Sequence, residues 1–257
     1  MHFVPSLLFL SVFLSPLAHA DLIDEVNDRG ELRIAMEANF APFSFMQDGK
    51  LTGFEVELGQ LLADELDVRA SFVTTDAADL LPGVEGDKYD IALNHIAVTP
   101  ELKARVDFSE PYSYSNAQLI VRSEEKRPLS TLDALKGLSL GVAQSSQFAE
   151  EARTREGIDL RSYPDAQQPL KALANDQIDA AISDRLLVSS AIRDSHLPVK
   201  PGNDVGPPLV LAIPFQKGNP AFQGVLDGAL QRIKADGRLS ALSEKWFGID
   251  ASKPSKP

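Results

Sequence analysis

The sequence contains no cysteine, which excludes disulfides, thiolate metal sites, cysteine nucleophiles and the lipid-modified cysteine of a lipoprotein. Histidine is nearly as scarce. Beyond the N-terminal apolar run only His95 and His196 occur, far apart and without a thiolate, so no structural zinc site is expected. Catalytic templates are missing too: there is no G-x-S-x-G elbow, no P-loop, no G-x-G-x-x-G after a strand and no H-E-x-x-H. Basic charge is in short supply, with 25 Lys and Arg against 37 Asp and Glu. The net charge of −12, spread without a long block of one sign, argues against nucleic acid or an anionic membrane as partner. No cofactor and no metal are expected.

Only one long apolar run is present, MHFVPSLLFLSVFLSPLAHA at residues 1–20. It closes on Ala18-His19-Ala20, the small-x-small pattern that signal peptidase accepts, so residues 1–20 read as a signal peptide and the mature chain as starting at Asp21. The run has no Lys or Arg, which leaves a membrane anchor as the alternative, but it is short and interrupted by prolines. No other stretch approaches the roughly 20 apolar residues of a spanning helix. The product is expected to be exported, soluble and not membrane-embedded. Without cysteine it folds on its core alone, and 257 residues suffice for one large domain or two modest ones.

After Asp21, short apolar runs alternate with helical patterns, the signature of an α/β protein. Strands are predicted over residues 32–36, 70–73, 89–93, 119–122, 138–142, 178–182 and 209–213, mostly unbroken apolar runs suited to burial on both faces. Phe54, Leu58, Leu61, Leu62 and Leu66 form one helical stripe, with Glu55, Glu57 and Asp64 off it. Two further helices, around 225–233 and 239–247, are punctuated by Asp236-Gly237 and stopped by Gly248. The βα-rich blocks fall at about 21–118 and 119–212, followed by a Ser/Lys/Pro tail.

Candidate site residues lie where strands end, the place at which α/β folds hold ligands. His95 follows the strand YDIALN and either lines a ligand or packs in the core, whereas His196 sits in a loop-like SHLP segment. In ANFAPFSF, Phe40, Phe43 and Phe45 surround Pro42; Phe43 suits core packing and Phe40 is the one more apt to reach a ligand. VAQSSQF opens a helix after a strand, so Ser145, Ser146 and Gln147 could bind an anionic group at the helix N-terminus or simply cap it. Asp184, just past another strand, could likewise be an N-cap.

Together, RGELRIAMEANFAPFSF, GKLTGFEVELGQLLADEL, VDFSEPYSYS, LKGLSLGV and DGRLSALSEKWFG resemble the amino-acid-binding class of bacterial extracellular solute-binding proteins, the receptors of polar amino-acid ABC importers, and most of all its cystine-binding branch. The resemblance implies a periplasmic binding protein type II fold: two α/β lobes joined by two crossing hinge strands, with a small-molecule ligand closed between them. Lobe 1 is then expected to comprise residues 21–118 plus 214–250 and lobe 2 residues 119–213, with AQLIVR and LVLAIPF as hinges and 251–257 as a disordered tail. It further implies a periplasmic monomer without catalytic activity that delivers its solute to an ABC importer permease. A dehydratase on the same fold, using Asp76 or Glu57 as acid or base, and a ligand-sensing input for a receptor are the alternatives.

The chain departs from that pattern in the loop N-H-I-A-V-T-P-E-L at 94–102. In the family's amino-acid binders, an arginine three residues after the threonine grips the ligand α-carboxylate; here Thr99 is followed by Pro100, Glu101 and Leu102. Ala97 replaces a hydroxyl residue, and Asp76 replaces the tryptophan of the cystine branch. Asp184 matches the α-amino acceptor, and Glu37 a position that meets cationic side chains in some basic-amino-acid binders. The candidate ligand-binding set is Glu37, Phe40, Phe45, Asp76, Asn94, His95, Ala97, Thr99, Leu102, Ser145, Ser146, Gln147 and Asp184. Glu37, Asp76 and Asp184 without the clamp favour a cation over a zwitterion, unless Arg105 or Arg185 substitutes for the missing arginine.

Overall fold

A computed structural model describes residues 21–144 and 146–254. The expected signal peptide, Ser145, the side chain of Gln147 and residues 255–257 lie outside the described residues. Asp21 caps helix α1 (Leu22–Arg29) by accepting the Ile23 N–H. Strand β1 (Glu31–Met36) leads into a three-stranded meander, β2 (Asn39–Phe40), β3 (Ser44–Gln47) and β4 (Lys50–Thr52). Then come α2 (Phe54–Glu65), β5 (Arg69–Thr74), α3 (Ala77–Glu85), β6 (Ile91–Ala92), α4 (Pro100–Arg105) and β7 (Asp107–Phe108).

The long β8 (Ser113–Arg122) carries the chain to β9 (Ser139–Ala143), α5 (Gln147–Arg153), β10 (Asp159–Tyr163), α6 (Gln168–Ala174), β11 (Ala180–Asp184) and α7 (Arg185–Ser195). It returns through β12 (Val199–Leu211) to β13 (Pro214–Phe215), α8 (Pro220–Ala235) and α9 (Arg238–Phe247).

Two five-stranded sheets result, ordered β5-β1-β6-β13-β7 and β10-β9-β11-β8-β12. Each is covered on both faces. Ile34, Leu58, Phe215 and Leu226 belong to the core on one side of the first sheet, while Ala35, Leu80, Val84 and Tyr89 cluster on the other. In the second sheet the alternating residues of β8 divide, Leu119 and Val121 joining Leu140 on one face and Ile120 joining Leu170 and Val188 on the other. The fold is α/β and two-lobed, with β8 and β12 paired antiparallel from Ser113↔Leu211 to Val199↔Arg122 as the crossing strands. Their connections stay paired between the sheets, since Tyr112 N–H donates to Leu211 O and Ser109 N–H to Ile213 O.

Several expectations need correction. The helix α2 stripe is not its only buried face: Glu55 has no exposed surface, because Gly53 tucks the helix N-terminus under the meander. Gly53 has φ +134°, and a Cβ there would meet Phe43 O at 2.1 Å, so only glycine allows the approach that lets Glu55 N–H reach Phe43 O at 2.9 Å. The tail does not begin at 251. Ala251 is fully buried, its N–H bonded to Ser243 Oγ and its carbonyl accepting from Tyr114 N–H. Strand β10 and the first half of β12 were not predicted; both are edge strands, where polar residues and proline are tolerated.

Candidate functional site

Parallel pairing brings the expected residues to two sheet edges. β1, β5 and β6 run parallel, so Glu37, Asp76 and Asn94–His95 share the C-terminal edge of the first sheet. β9, β10 and β11 are parallel too, placing Ser146 and Asp184 at the corresponding edge of the second. Glu37 and Asn94 fix each other: the Glu37 N–H donates to Asn94 Oδ1 at 3.1 Å and Asn94 Nδ2 donates to Glu37 Oε2 at 2.8 Å. Asp76 is exposed at the start of α3 and makes no capping hydrogen bond.

The two edges meet at one pair. His95 Nε2 lies 2.9 Å from Asp184 Oδ2, with the side chains only 10% and 4% exposed. The other oxygen of Asp184 accepts from Ser115 Oγ at 2.7 Å and from the Leu186 N–H at 2.9 Å, so Asp184 also caps α7. Burial opposes the charge of both groups, but their mutual attraction prevails. The Asp184 carboxylate and, behind it, Glu55 raise the His95 pKa, while the imidazolium with the Ser115 and Leu186 donors lowers that of Asp184.

His95 is held from three sides. Its backbone is left-handed, φ +52°, and its N–H donates to Glu55 Oε1 at 2.7 Å. Its ring stacks on Phe43 at 4.4 Å and 15°, with Phe40 at 6.2 Å. Glu55 Oε1 also accepts the Tyr112 phenol at 2.5 Å, while Oε2 is buried and unpartnered. Burial raises the pKa of Glu55 and pushes that of Tyr112 well above its ordinary value. Glu55, Tyr112 and Ser115 were missed as site supports, though T-G-F-E and D-F-S-E-P-Y stood out as motifs. A carboxylate off a helical stripe reads as solvated, and nothing in the sequence signals the turn of chain that covers it.

The remaining candidates divide. Thr99 Oγ1 caps α4 by accepting the Leu102 N–H at 3.2 Å. Leu102 packs with Ile96 and Val98 against the cluster containing Phe108, and Ala97 is half-buried in a bridge to Leu211. Ser146 Oγ accepts the Phe148 N–H, an ordinary local cap. Phe45 is not brought to the cluster: it meets Trp246 edge-on at 5.9 Å and lines a separate cavity of about 480 Å³ with Pro42, Leu170, Leu187 and Val188. Arg105 pairs with Glu85 through hydrogen bonds of 2.7 and 2.8 Å. Arg185 is half-buried at the start of α7, with Nη1 buried and unpartnered. Glu57 is bound to Lys245, away from the cluster.

Several known proteins are similar to this chain in sequence and fold. The L-cystine-binding protein TcyJ of Escherichia coli is 34% identical over 238 residues, covering 92% of this chain and 90% of that protein. Among solved structures, the L-cystine solute receptor of Neisseria gonorrhoeae in its unliganded open conformation matches with a TM-score of 0.79 at 28% identity, covering 91% of this chain and all of that one. An ancestral cationic amino acid solute-binding protein matches with a TM-score of 0.79 at 27% identity over 88% of this chain and 99% of that one. The sequence profile that matches here spans residues 32–249, and the chain belongs to the bacterial extracellular solute-binding proteins, family 3.

Proposed function

We propose that the protein captures a small polar solute bearing a cationic group, an amino acid or a relative of one, between its lobes in the periplasm and presents it to an ABC importer permease. The observation that carries this reading is Asp184, a buried carboxylate at the junction of the two sheet edges with one oxygen facing the opposite lobe. A carboxylate so placed recognises an ammonium or guanidinium group and rejects an anion. The relatives named for cystine and for cationic amino acids support the solute class. Signal cleavage after Ala20 and a monomeric mature protein complete the proposal. We read it as a binder rather than a dehydratase, since of the two acid or base candidates Asp76 is exposed and Glu57 is paired with Lys245.

A thermal-shift screen of amino acids, polyamines and organic acids tests it. A solute at 100 times its Kd adds about 2.7 kcal/mol to the folded state, so binders raise the melting temperature by several degrees. Amine-bearing solutes are expected to do so. Stabilisation by organic acids alone overturns the reading.

A further inference from the structure

We propose that the cavity lined by Phe45 and Trp246 is a second ligand site, separate from the one at Asp184, which takes a flat apolar organic anion such as an aromatic carboxylate and, through contact with both lobes, draws them together. One wall comes from the meander and α9, with Pro42, Phe45 and Trp246; the other comes from α6, β11 and α7, with Leu170, Ser183 and Val188. Successive residues of a strand point to opposite faces, so β11 itself separates Ser183, on the cavity side, from Asp184. None of Glu37, Phe40, Asn94, His95 or Asp184 lines the cavity. The site therefore stands whether or not Asp184 receives the solute.

The walls are tied together at both ends of α7. Near its start Leu186 is buried in the core cluster that holds Phe43 and Phe247, and near its end Arg193 Nη2 donates to Trp246 O at 3.2 Å. Between these two contacts the elements stand apart and leave about 480 Å³. Packed interiors hold few voids larger than a water molecule, and this volume falls within the ~300–1,000 Å³ of small-molecule pockets. Apolar side chains dominate both walls. Phe45 and Trp246, edge-on to each other at 5.9 Å, offer an aromatic body the offset and edge contacts that rings prefer.

The charge of the lining decides the sign of the ligand. In a chain with 37 acidic and 25 basic residues, no aspartate or glutamate is among the described residues that line this cavity, whereas Lys171 and Arg193 both do. Asp165, the acid that the Lys171 charge reaches, is occupied by the Gln167 and Gln168 N–H groups and by Gln168 Nε2. Trp246 adds a third donor: its Nε1–H is buried and has no acceptor among the described residues. Indole N–H, ammonium and guanidinium groups donate and never accept, so the partner they lack is an acceptor, and an anion answers all three. Since one wall comes from each lobe, an occupant is held on both sides only when the lobes are as close as they are here, and it favours that arrangement over any in which they stand apart.

Anilinonaphthalene sulfonate, a fluorescent aromatic anion, is the probe, and Trp246, the only tryptophan of the chain, reports from the cavity wall. Titration of the folded protein should show saturable one-to-one binding, with Trp246 emission quenched as probe emission rises. Ala191 is half-buried and lines the cavity from α7, so Ala191→Phe puts a ring into the space and should weaken binding by about tenfold or more. Lys171→Glu, at an exposed position that the fold tolerates, should weaken it by about fivefold. Circular dichroism verifies that each variant is folded, and Lys171→Glu keeps the test decisive if Ala191→Phe is not. Small-angle scattering should give the parent a smaller radius of gyration with the probe than without it, and Ala191→Phe no change at the same probe concentration. Probe affinity that is equal in the parent and the folded variants overturns the proposal, as does binding without compaction. Displacement of the probe by L-arginine also overturns it, because the probe would then occupy the solute's site.

Discussion

The Tyr112 phenol donates to Glu55 Oε1 across 2.5 Å, and the same oxygen holds the backbone N–H of His95 at 2.7 Å. One buried carboxyl thus ties the segment entering crossing strand β8 to the residue that reaches the other lobe. Burial raises the Glu55 pKa, so the folded state binds this proton more tightly than the unfolded chain. Its contribution to stability is greatest below the ordinary glutamate value and falls as pH rises from that value through the raised one. Glu55→Gln should fold and show a flatter decline of stability above pH 4.5, by on the order of 1 kcal/mol for each pH unit of the raised interval. Glu55→Leu, which abandons two donors, should cost about 1–3 kcal/mol per orphaned group. Urea titrations of both variants at pH 4 to 8 measure this.

Asp90 offers a contrast at the opposite end of the same strands. It has no exposed surface and accepts from Arg29 Nη2, from the Arg33 guanidinium and from the Arg33 N–H, all at 2.7 to 3.1 Å. Removing one member of a buried ion cluster leaves the others uncompensated, typically at about 3–5 kcal/mol. Asp90→Ala should lower stability by about that amount and leave solute affinity unchanged, since β1 and β6 carry it to the edge away from Asp184. Denaturant midpoints and calorimetry on the folded variant separate the two effects.

Asp184→Asn should weaken binding of the physiological solute by roughly 2–5 kcal/mol, the range for truncating one partner of a buried charged pair. The amide still accepts the Leu186 N–H and so keeps the α7 cap. What it loses is the charge that faces the other lobe. Isothermal titration with the solute found in the screen gives the number; an unaltered affinity would reduce Asp184 to a cap.

These residues also show how far the sequence could be read. Central strands such as β1 and β9 were legible because burial on both faces demands a continuous apolar run. β12 was hidden in its first half, where Pro201, Gly202, Gly206, Pro207 and Pro208 read as loop; at a sheet edge, with register shifts after Pro201 and Val205, the ladder accommodates them. Asp184 and His95 were each recognisable as strand-end polar groups. Their pairing was not, because 89 positions separate them and only the opposition of two sheet edges brings them together. The surroundings of Phe45 were hidden for a related reason: the β2–β3 turn sets Phe43 against the His95 ring and Phe45 against Trp246.

Leu102 carries the last prediction. Its side chain packs, as those of Ile96 and Val98 do, against the cluster containing Phe108, and Arg105, one turn further, pairs with Glu85. Neither residue offers a carboxylate the paired charged hydrogen bonds that make such a group welcome in a closed site. A site built around those bonds strongly rejects ligands lacking the partner, whereas a site without them gives a carboxylate nothing in exchange for its lost water. Ordinary α-amino acids are therefore expected to bind the parent protein weakly, and amines without an α-carboxylate better. Leu102→Arg restores a guanidinium at the start of α4 and should improve binding of cystine by about 1.5–3 kcal/mol, the worth of a hydrogen bond to a charged group, while weakening a purely cationic solute through like-charge repulsion. The substitution should cost the fold little, because Leu102 is only half-buried and α4 has its cap in Thr99. Paired calorimetric titrations of cystine and of an amine such as putrescine against parent and variant provide the measurement. Tight cystine binding by the parent, unchanged in Leu102→Arg, would place the carboxylate on another donor, of which Arg185 with its unpartnered Nη1 is the first to substitute.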